Sequence, residues 1–569
     1  MRYLQPSPNR GHGYKWFSIL TLLAITLLLT SVPPWGAFAQ DQQAQQQAGL
    51  QIPEIKLVPV SLESPIDRAE KDGTALRASL KDVIKMALQA NLDIAIAETN
   101  EDNLGWALMS AKAVYEPTLS AISFNWSDSK SLNFNAYDAS RTTVNSTLQQ
   151  GWSTGMRQNI PTGGNFNFSL SGNRNDTNSG AALANPRYSA SWSLSFTQPL
   201  LRDFKIDQNR NNIRVANLNL KANDTQFKSQ ISQTVQSVEA AYWRLVQAIE
   251  SYKISVAAVK AARLTVEMNI KKRDIGTMAP IDVISSQSQQ ARQEVNLLGA
   301  EESIQSAENS LRTLISKDRS ADIWEKTIVP TEVPDVSEFK IDLSTAIELA
   351  LKNSAQLENI DNQLQQIDYQ YEMNRNSRKW NLSLTGTISG GGSGVPEGNM
   401  NYPSKLWGGL GTSYLYMFNI TPPTYRISMS LEIPLSHTAS NAQLAQTRIN
   451  REKQKMTRTK QEQSIIVSVR NYHQALTSAR KQIDTAEIGA LASEARLSAT
   501  ERRVEAGLAT TTDLILAQDD VNSARNSLLQ AKIGYRTAIL NLQQAMFTLL
   551  DANNITAGDV AKSTRSSFR

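Results

Sequence analysis

The sequence predicts an α+β membrane protein built from two internal repeats, in which long coiled-coil helices run on from barrel strands. Three observations carry this: a duplicated pattern, helical stretches of coiled-coil period, and strictly alternating segments. Gly276, Asp282 and Gln287 return as Gly507, Asp513 and Gln518 at one constant offset of 231 residues. Leu80, Ile84, Ala87 and Leu88 return as Leu343, Ile347, Ala350 and Leu351, and Pro199-Leu200 returns as Pro434-Leu435. Such self-similarity predicts a pseudo-twofold fold.

Residues 1–39 read as a secretory signal, because Arg2, Arg10 and Lys15 precede an apolar run from Trp16 to Leu29, and Ala37-Phe38-Ala39 offers a cleavage site. The run is shorter than the roughly 20 apolar residues of a spanning helix. Cleavage removes three basic residues and no acid, lowering the net charge from +5 to +2. A charge so near neutral implies no nucleic-acid partner. There are no cysteines, which excludes disulfides, thiolate metal sites and a lipidated N-terminal cysteine. Residues 40–75 form a flexible N-terminal segment that opens on a Gln-rich tract.

The first repeat, 76–316, contains helices and strands. Between Pro199 and Pro280 there is no proline and Gly276 is the only glycine, so one helix is expected from about 206 to 274. Phe227, Ile231, Val235, Val238, Tyr242, Leu245, Ile249, Tyr252, Val256 and Val259 follow each other at steps of three and four, as in a coiled-coil seam. At ~1.5 Å per residue this helix is about 100 Å long, against about 55 Å for 280–315 and about 36 Å for 92–115. The expected packing is one long helix antiparallel to two shorter ones stacked end to end. The second repeat, 341–550, offers the same arithmetic, with a seam through Ile465, Val469, Tyr472, Leu476, Ala479 and Ile483.

Strands are expected where apolar and small polar residues alternate. Tyr188, Ala190, Trp192, Leu194 and Phe196 alternate with Ser189, Ser191, Ser193, Ser195 and Thr197. The pattern recurs at Ile122/Phe124/Trp126, Phe166/Phe168/Leu170, Leu382/Leu384/Ile388 and Tyr425/Ile427/Met429/Leu431. An aromatic face backed by a hydroxylated one suits a membrane barrel with a wet lumen. Gly390 to Gly394 and Asn173 to Asn178 read as loops between strands. Residues 317–340, with Pro330 and Pro334, read as an inter-repeat linker, and 551–569 as a loosely held polar tail. Two to four strands per repeat cannot close a barrel alone, so several chains must share one.

In this order, the paired Gly-x5-Asp helix tips, the strand exits at Pro199 and Pro434 and the strand entry at Pro117-Thr118-Leu119-Ser120 closely resemble the TolC-like outer-membrane efflux family. The resemblance spans about residues 76–550. It implies a homotrimer with a 12-stranded barrel in outer-membrane lipid, continuous with an α-helical barrel across the periplasm. It further implies the exit duct of a tripartite efflux or type I secretion system, served by a periplasmic adaptor and an inner-membrane transporter.

Gly276 and Gly507 stand where helices must stop, and Thr510 to Asp513 has capping-box spacing. Capping alone accounts for these residues. The resemblance adds adaptor docking at Ile275, Gly276, Thr277, Arg503, Ala506, Gly507 and Leu508, and a pore constriction at Asp513. Leu516 and Ala509 depart from positions where family members can carry an acid and a base, which leaves fewer charges for an ionic lock.

No catalytic role is expected, and no cofactor or metal. Outside the signal the histidines are His437 and His473, without a ligand cluster around either. Asp519-Asp520 and Lys271-Lys272-Arg273 read as solvated helix faces. The alternative function is a coiled-coil envelope tether with no conducting lumen.

Overall fold

The computed structural model describes residues 60–133, 143–178, 182–318, 320–334 and 336–561. The signal reading and the Gln-rich tract lie outside the described residues. The first part of the chain forms α1 (Pro65–Lys71), β1 (Ala75–Ala78), α2 (Leu80–Ala90), α3 (Leu92–Lys112), β2 (Thr118–Asn133), β3 (Thr143–Asn159), β4 (Asn165–Thr177), β5 (Arg187–Pro199), α4 (Gln208–Asp274) and α5 (Pro280–Ile315). Then come β6 (Thr327–Pro330), α6 (Leu343–Asn353), α7 (Ala355–Asn376), β7 (Asn381–Gly394), α8 (Gly409–Leu415), β8 (Thr424–Glu432), α9 (Thr438–Glu505), α10 (Thr511–Ala545) and α11 (Leu549–Ala552).

The long helices form where the seams place them. Ile231, Val235, Val238, Tyr242, Leu245 and Val259 are at most 1% exposed. α4 packs along α3 toward the strands and along α5 toward the tip, and α9 packs likewise along α7 and α10. α4 also meets α7 and α10, so the lateral orders are α3-α4-α7-α9 near the strands and α5-α4-α10-α9 near the tips. This leaves α3 and α5 on one flank and α9 on the other. The flank position explains why α9 is less buried than α4: Tyr472, a seam residue, stays partly exposed. The apolar residues Leu92, Ile96, Trp106 and Met109 on α3, Val295 and Leu298 on α5, and Ile449, Met456, Ile488 and Leu491 on α9 are also exposed.

Six strands make one antiparallel sheet in the order β2-β3-β4-β5-β7-β8. Among the described residues, the first half of the chain supplies four of them and the second two. Twelve strands from three copies would need four per chain; with six, three copies would contribute eighteen and twelve would need two copies. The pairing register puts Trp152, Phe168, Leu170, Trp192, Leu194, Ile388 and Ile427 on one face, and serine, threonine and asparagine on the other.

Two expected loops are strand. Asn173 to Thr177 belongs to β4, where Asn173 and Asn175 continue the polar face opposite Gly151 and Gln149. Gly390 to Gly394 belongs to β7, and its glycines serve close approach rather than turning. A Cβ at Gly392 would stand 2.0 Å from the Ser413 carbonyl oxygen, and one at Gly394 2.0 Å from that of Gly409. α8 and the π-turn Tyr416–Ile420 therefore lie directly on the apolar face of β5 and β7. Met417 is buried against it, while Leu415 and Phe418 continue the apolar surface outward.

The described residues of the linker are coil apart from a 3-10 turn and β6, which pairs in parallel with β1. Two tyrosines satisfy its backbone. Tyr242 Oη accepts from the Glu332 amide at 3.3 Å, and Tyr535 Oη donates to the Ser337 carbonyl and accepts from the Phe339 amide, each at 3.0 Å. The described part of the tail is not loose: Val560 is 4% exposed, and Ile555 and Ala557 pack on the same core as Ile84 of α2. Its few apolar residues suffice because α2 offers them an apolar face.

Candidate gate at the helix tips

Each tip is a Schellman-type stop followed by a capped helix start. In the first, the Thr277 amide donates to the Lys272 carbonyl at 2.9 Å and the Gly276 amide to Arg273 at 2.8 Å. In the second, Leu508 donates to Arg503 at 2.7 Å and Gly507 to Val504 at 3.2 Å. Both glycines adopt left-handed φ, +79° at Gly276 and +71° at Gly507, as this motif requires. Nothing lies within 4 Å of a Cβ at either, so backbone conformation alone selects glycine there.

The helix starts differ. At α10 the Asp513 amide donates to Thr510 Oγ1 at 3.2 Å, and Asp513 Oδ2 accepts from the Thr510 amide at 2.9 Å and hydroxyl at 2.7 Å, a full capping box. At α5, Pro280 opens the helix after Ala279, with no side-chain cap. Asp282 is exposed in the first turn. The hydrogen bonds from Thr510, backbone first, hold the Asp513 carboxyl below the usual carboxylate range, and Arg503 and Arg496 add to this. Asp513 is therefore charged throughout the neutral range.

The proposed docking residues Ile275, Gly276, Thr277, Arg503, Ala506, Gly507 and Leu508 are all exposed. Ile281 and Leu516 are exposed as well, so each tip carries two bare aliphatic side chains. Lys271 and Arg273 pair locally, with Glu267 and Asp274.

Asp519 and Asp520 are not merely solvated. Asp519 Oδ1 accepts from Gln289 Nε2 at 2.7 Å and Gln293 Nε2 at 2.9 Å, both on α5, and Arg292 in turn bonds Gln289. Asp520 pairs with Arg496 of α9 at 2.6 Å. Gln518 donates to Thr265 of α4 at 3.3 Å. Burial pushes the Asp519 carboxyl up, opposed by the Gln289 bond and the Arg292 charge. One short stretch of α10 thus ties the second hairpin to the first. Asp519→Ala leaves two amides unpaired at a half-buried contact and should weaken it by about 1 kcal/mol or more. The expected readout is faster amide exchange at residues 280–293 and 511–520, with exchange near Tyr242 unchanged.

The model of the outer membrane efflux protein family matches residues 163–317 and 346–546, more than half of the chain. The chain belongs to that family. Among solved structures, the Campylobacter jejuni CmeC outer membrane channel superposes with a TM-score of 0.61 at 16% identity, covering 92% of this chain and 99% of that one. The outer membrane protein VceC from Vibrio cholerae gives 0.57 at 16% identity, covering 82% and 95%. The open state of the Neisseria gonorrhoeae MtrE channel gives 0.53 at 16%, covering 82% and 88%. A comparison with curated proteins found no match. The family is one of outer membrane efflux proteins, and at these identities the solved structures speak for the fold.

Proposed function

We propose that the chain is the passive exit duct of a tripartite efflux or type I secretion system, a homotrimer crossing the outer membrane and extending into the periplasm. An adaptor docks at the helix tips and an inner-membrane pump supplies the energy. The observation that carries this reading is the coincidence of free edges. The sheet ends at β2 and β8; β2 follows α3 after one 3-10 turn, and β8 leads into α9 after a short loop. All nine residues of β8 are exposed. Among the described residues, sheet edge and helix flank are thus unpartnered on the same two sides, and copies adding edge to edge would close strands and helices into one ring. Closure also answers the membrane's demand that no backbone edge face lipid. Detergent-extracted protein should have the mass of a trimer and conduct ions in a planar bilayer. A monomer rejects the shared barrel, and a trimer without conductance favours the tether.

Asp513 is proposed to stand around the axis at the narrow end, with Asp282 further from it. Asp513→Asn separates charge from capping, because the amide oxygen still accepts from Thr510. It should shift single-channel permeability toward anions by roughly twofold or more and weaken block by divalent cations, with Asp282→Asn smaller in effect. Unchanged selectivity and block would leave Asp513 a helix cap only.

A further inference from the structure

We propose that the polar face of the sheet carries an anion-binding band, built on Arg157 and Arg426 of each copy, for solutes bearing phosphate, sulfate or clustered carboxylate groups. This rests on the reading of that face as the wet lining of a duct.

Thr118, Arg157, Asn167, Ser195, Thr387 and Arg426 are successive cross-strand partners, one per strand from β2 to β8. They form one continuous row on the hydroxylated face. Both arginines are exposed, and neither forms an ion pair among the described residues. Arg174, on the opposite face, is by contrast held by Asp176 at 2.8 Å. On the polar face of the described strands the charged residues are Arg157, Arg187, Arg426 and Glu432. Glu432 closes β8 at its far end, where its carboxylate accepts from Asn381 Nδ2 at 3.1 Å. It lies six residue steps along the strand from Arg426, about 20 Å. That is beyond a screening length of ~8–10 Å, so Glu432 does not neutralise the row.

Within one chain the two arginines are four strand spacings apart, about 19 Å. When β8 of one copy joins β2 of the next, Arg426 comes within two strand spacings laterally of the neighbouring Arg157, about 10 Å. Guanidinium groups offer forked donors suited to oxyanions, and the asparagine and hydroxyls between them add neutral donors. Low-dielectric walls around a wet lumen concentrate the anions that such a band attracts. The band has the opposite sign to the carboxylates at the helix tips.

Because the chain has no cysteine, one introduced thiol can report the local charge. Asn167 is exposed and directly opposite Arg157. In the trimer in lipid, Asn167→Cys should react with a sulfonate-bearing methanethiosulfonate faster, relative to an ammonium-bearing one, than the same thiol does when Arg157→Gln and Arg426→Gln are also present. The ratio should differ by roughly threefold or more at low salt. Inorganic tripolyphosphate should slow the reaction only while the arginines remain. Arg187→Gln, about 26 Å away along the sheet, should leave the ratio unchanged. A thiol that reacts equally in both backgrounds overturns the band and leaves the duct reading standing. A thiol reached only by a membrane-soluble maleimide puts this face in lipid, and overturns both. Native mass of the double variant confirms that a trimer is being measured.

Discussion

Leu245→Asp should leave almost no folded protein to extract from the membrane. Leu245 is completely buried in the core shared by α4, α5, α2 and β6, with Tyr242, Ile249, Leu311 and Ile328 in the same cluster. Removing its aliphatic surface forfeits about 2–3 kcal/mol. A carboxylate in its place has no cationic partner within the apolar cluster, which adds several kcal/mol more. The sum approaches the whole stability of an ordinary domain, about 5–15 kcal/mol. Leu476→Asp, in the second core, should act in the same direction, since Leu476 is 6% exposed there beside Val469 and Ile483. Gln230→Asp, at a partly exposed site off the seam, should stay within about 0.5 kcal/mol. Yield of detergent-extracted protein and its melting by circular dichroism measure all three. Equal loss at Gln230 would show that the seam does not hold the helices together.

The helices were legible because their signal is long. Ten seam positions at steps of three and four, with no proline, leave one reading of α4, and the observed helix begins within two residues of the expected start. The strands were legible only in part, for a local reason. β5 alternates without interruption, but along β3 the apolar residues Val144, Leu148, Trp152 and Met156 stand four apart, with Ser146, Gln150 and Thr154 sharing their face. That spacing reads as helical, so β3 carries no strand signature of its own. A long-range signal for it did exist. The offset between the two halves is 263 residues at Leu80 and Leu343, 235 at Pro199 and Pro434, and 231 at the tips. The fall occurs across the strand region, where the first half holds two strands more than the second.

At the tips, the Schellman glycines and the Thr510–Asp513 box were readable because every partner lies within six residues. The tie through Asp519 was not. Its amide partner Gln289 lies 230 residues away, and Asp519-Asp520 on an amphipathic helix looks like any solvated pair until α5 is placed beside it. The tail misled similarly: its composition is polar, yet Ile555 and Val560 suffice to dock it on α2. The five-residue stretch at Gly390 is locally ambiguous. Glycine-rich sequence marks a turn or a close approach, and only the helix that approaches distinguishes the two.

That approach sets up a second strong effect, at Gly392. Replacing Gly392 with leucine should lift α8 and the following π-turn from the sheet without disturbing the strands beneath. A Cβ at Gly392 meets the Ser413 carbonyl oxygen at 2.0 Å and the Met417 amide nitrogen at 2.7 Å, both backbone atoms that no rotamer change can move. Relief requires the helix itself to shift, and Met417, 1% exposed, then loses its seat. So does Tyr414, whose ring lies 5.9 Å from that of Trp152 on β3. Overpacking of this kind costs about 3 kcal/mol, more than a two-turn segment resting on one face can resist. The ladder between β5 and β7 runs in the plane of the sheet and is not touched by the added side chain. Gly391→Leu is the internal control. It points to the opposite face, and its Cβ would meet only the Ala190 carbonyl oxygen at an ordinary 3.6 Å. Amide exchange and protease cleavage between residues 395 and 423 should rise sharply in Gly392→Leu and little in Gly391→Leu, while both variants keep the assembly mass of the unaltered protein. If both are equally protected, α8 does not lie on the glycine strip, and the close packing that explains this run of glycines is wrong.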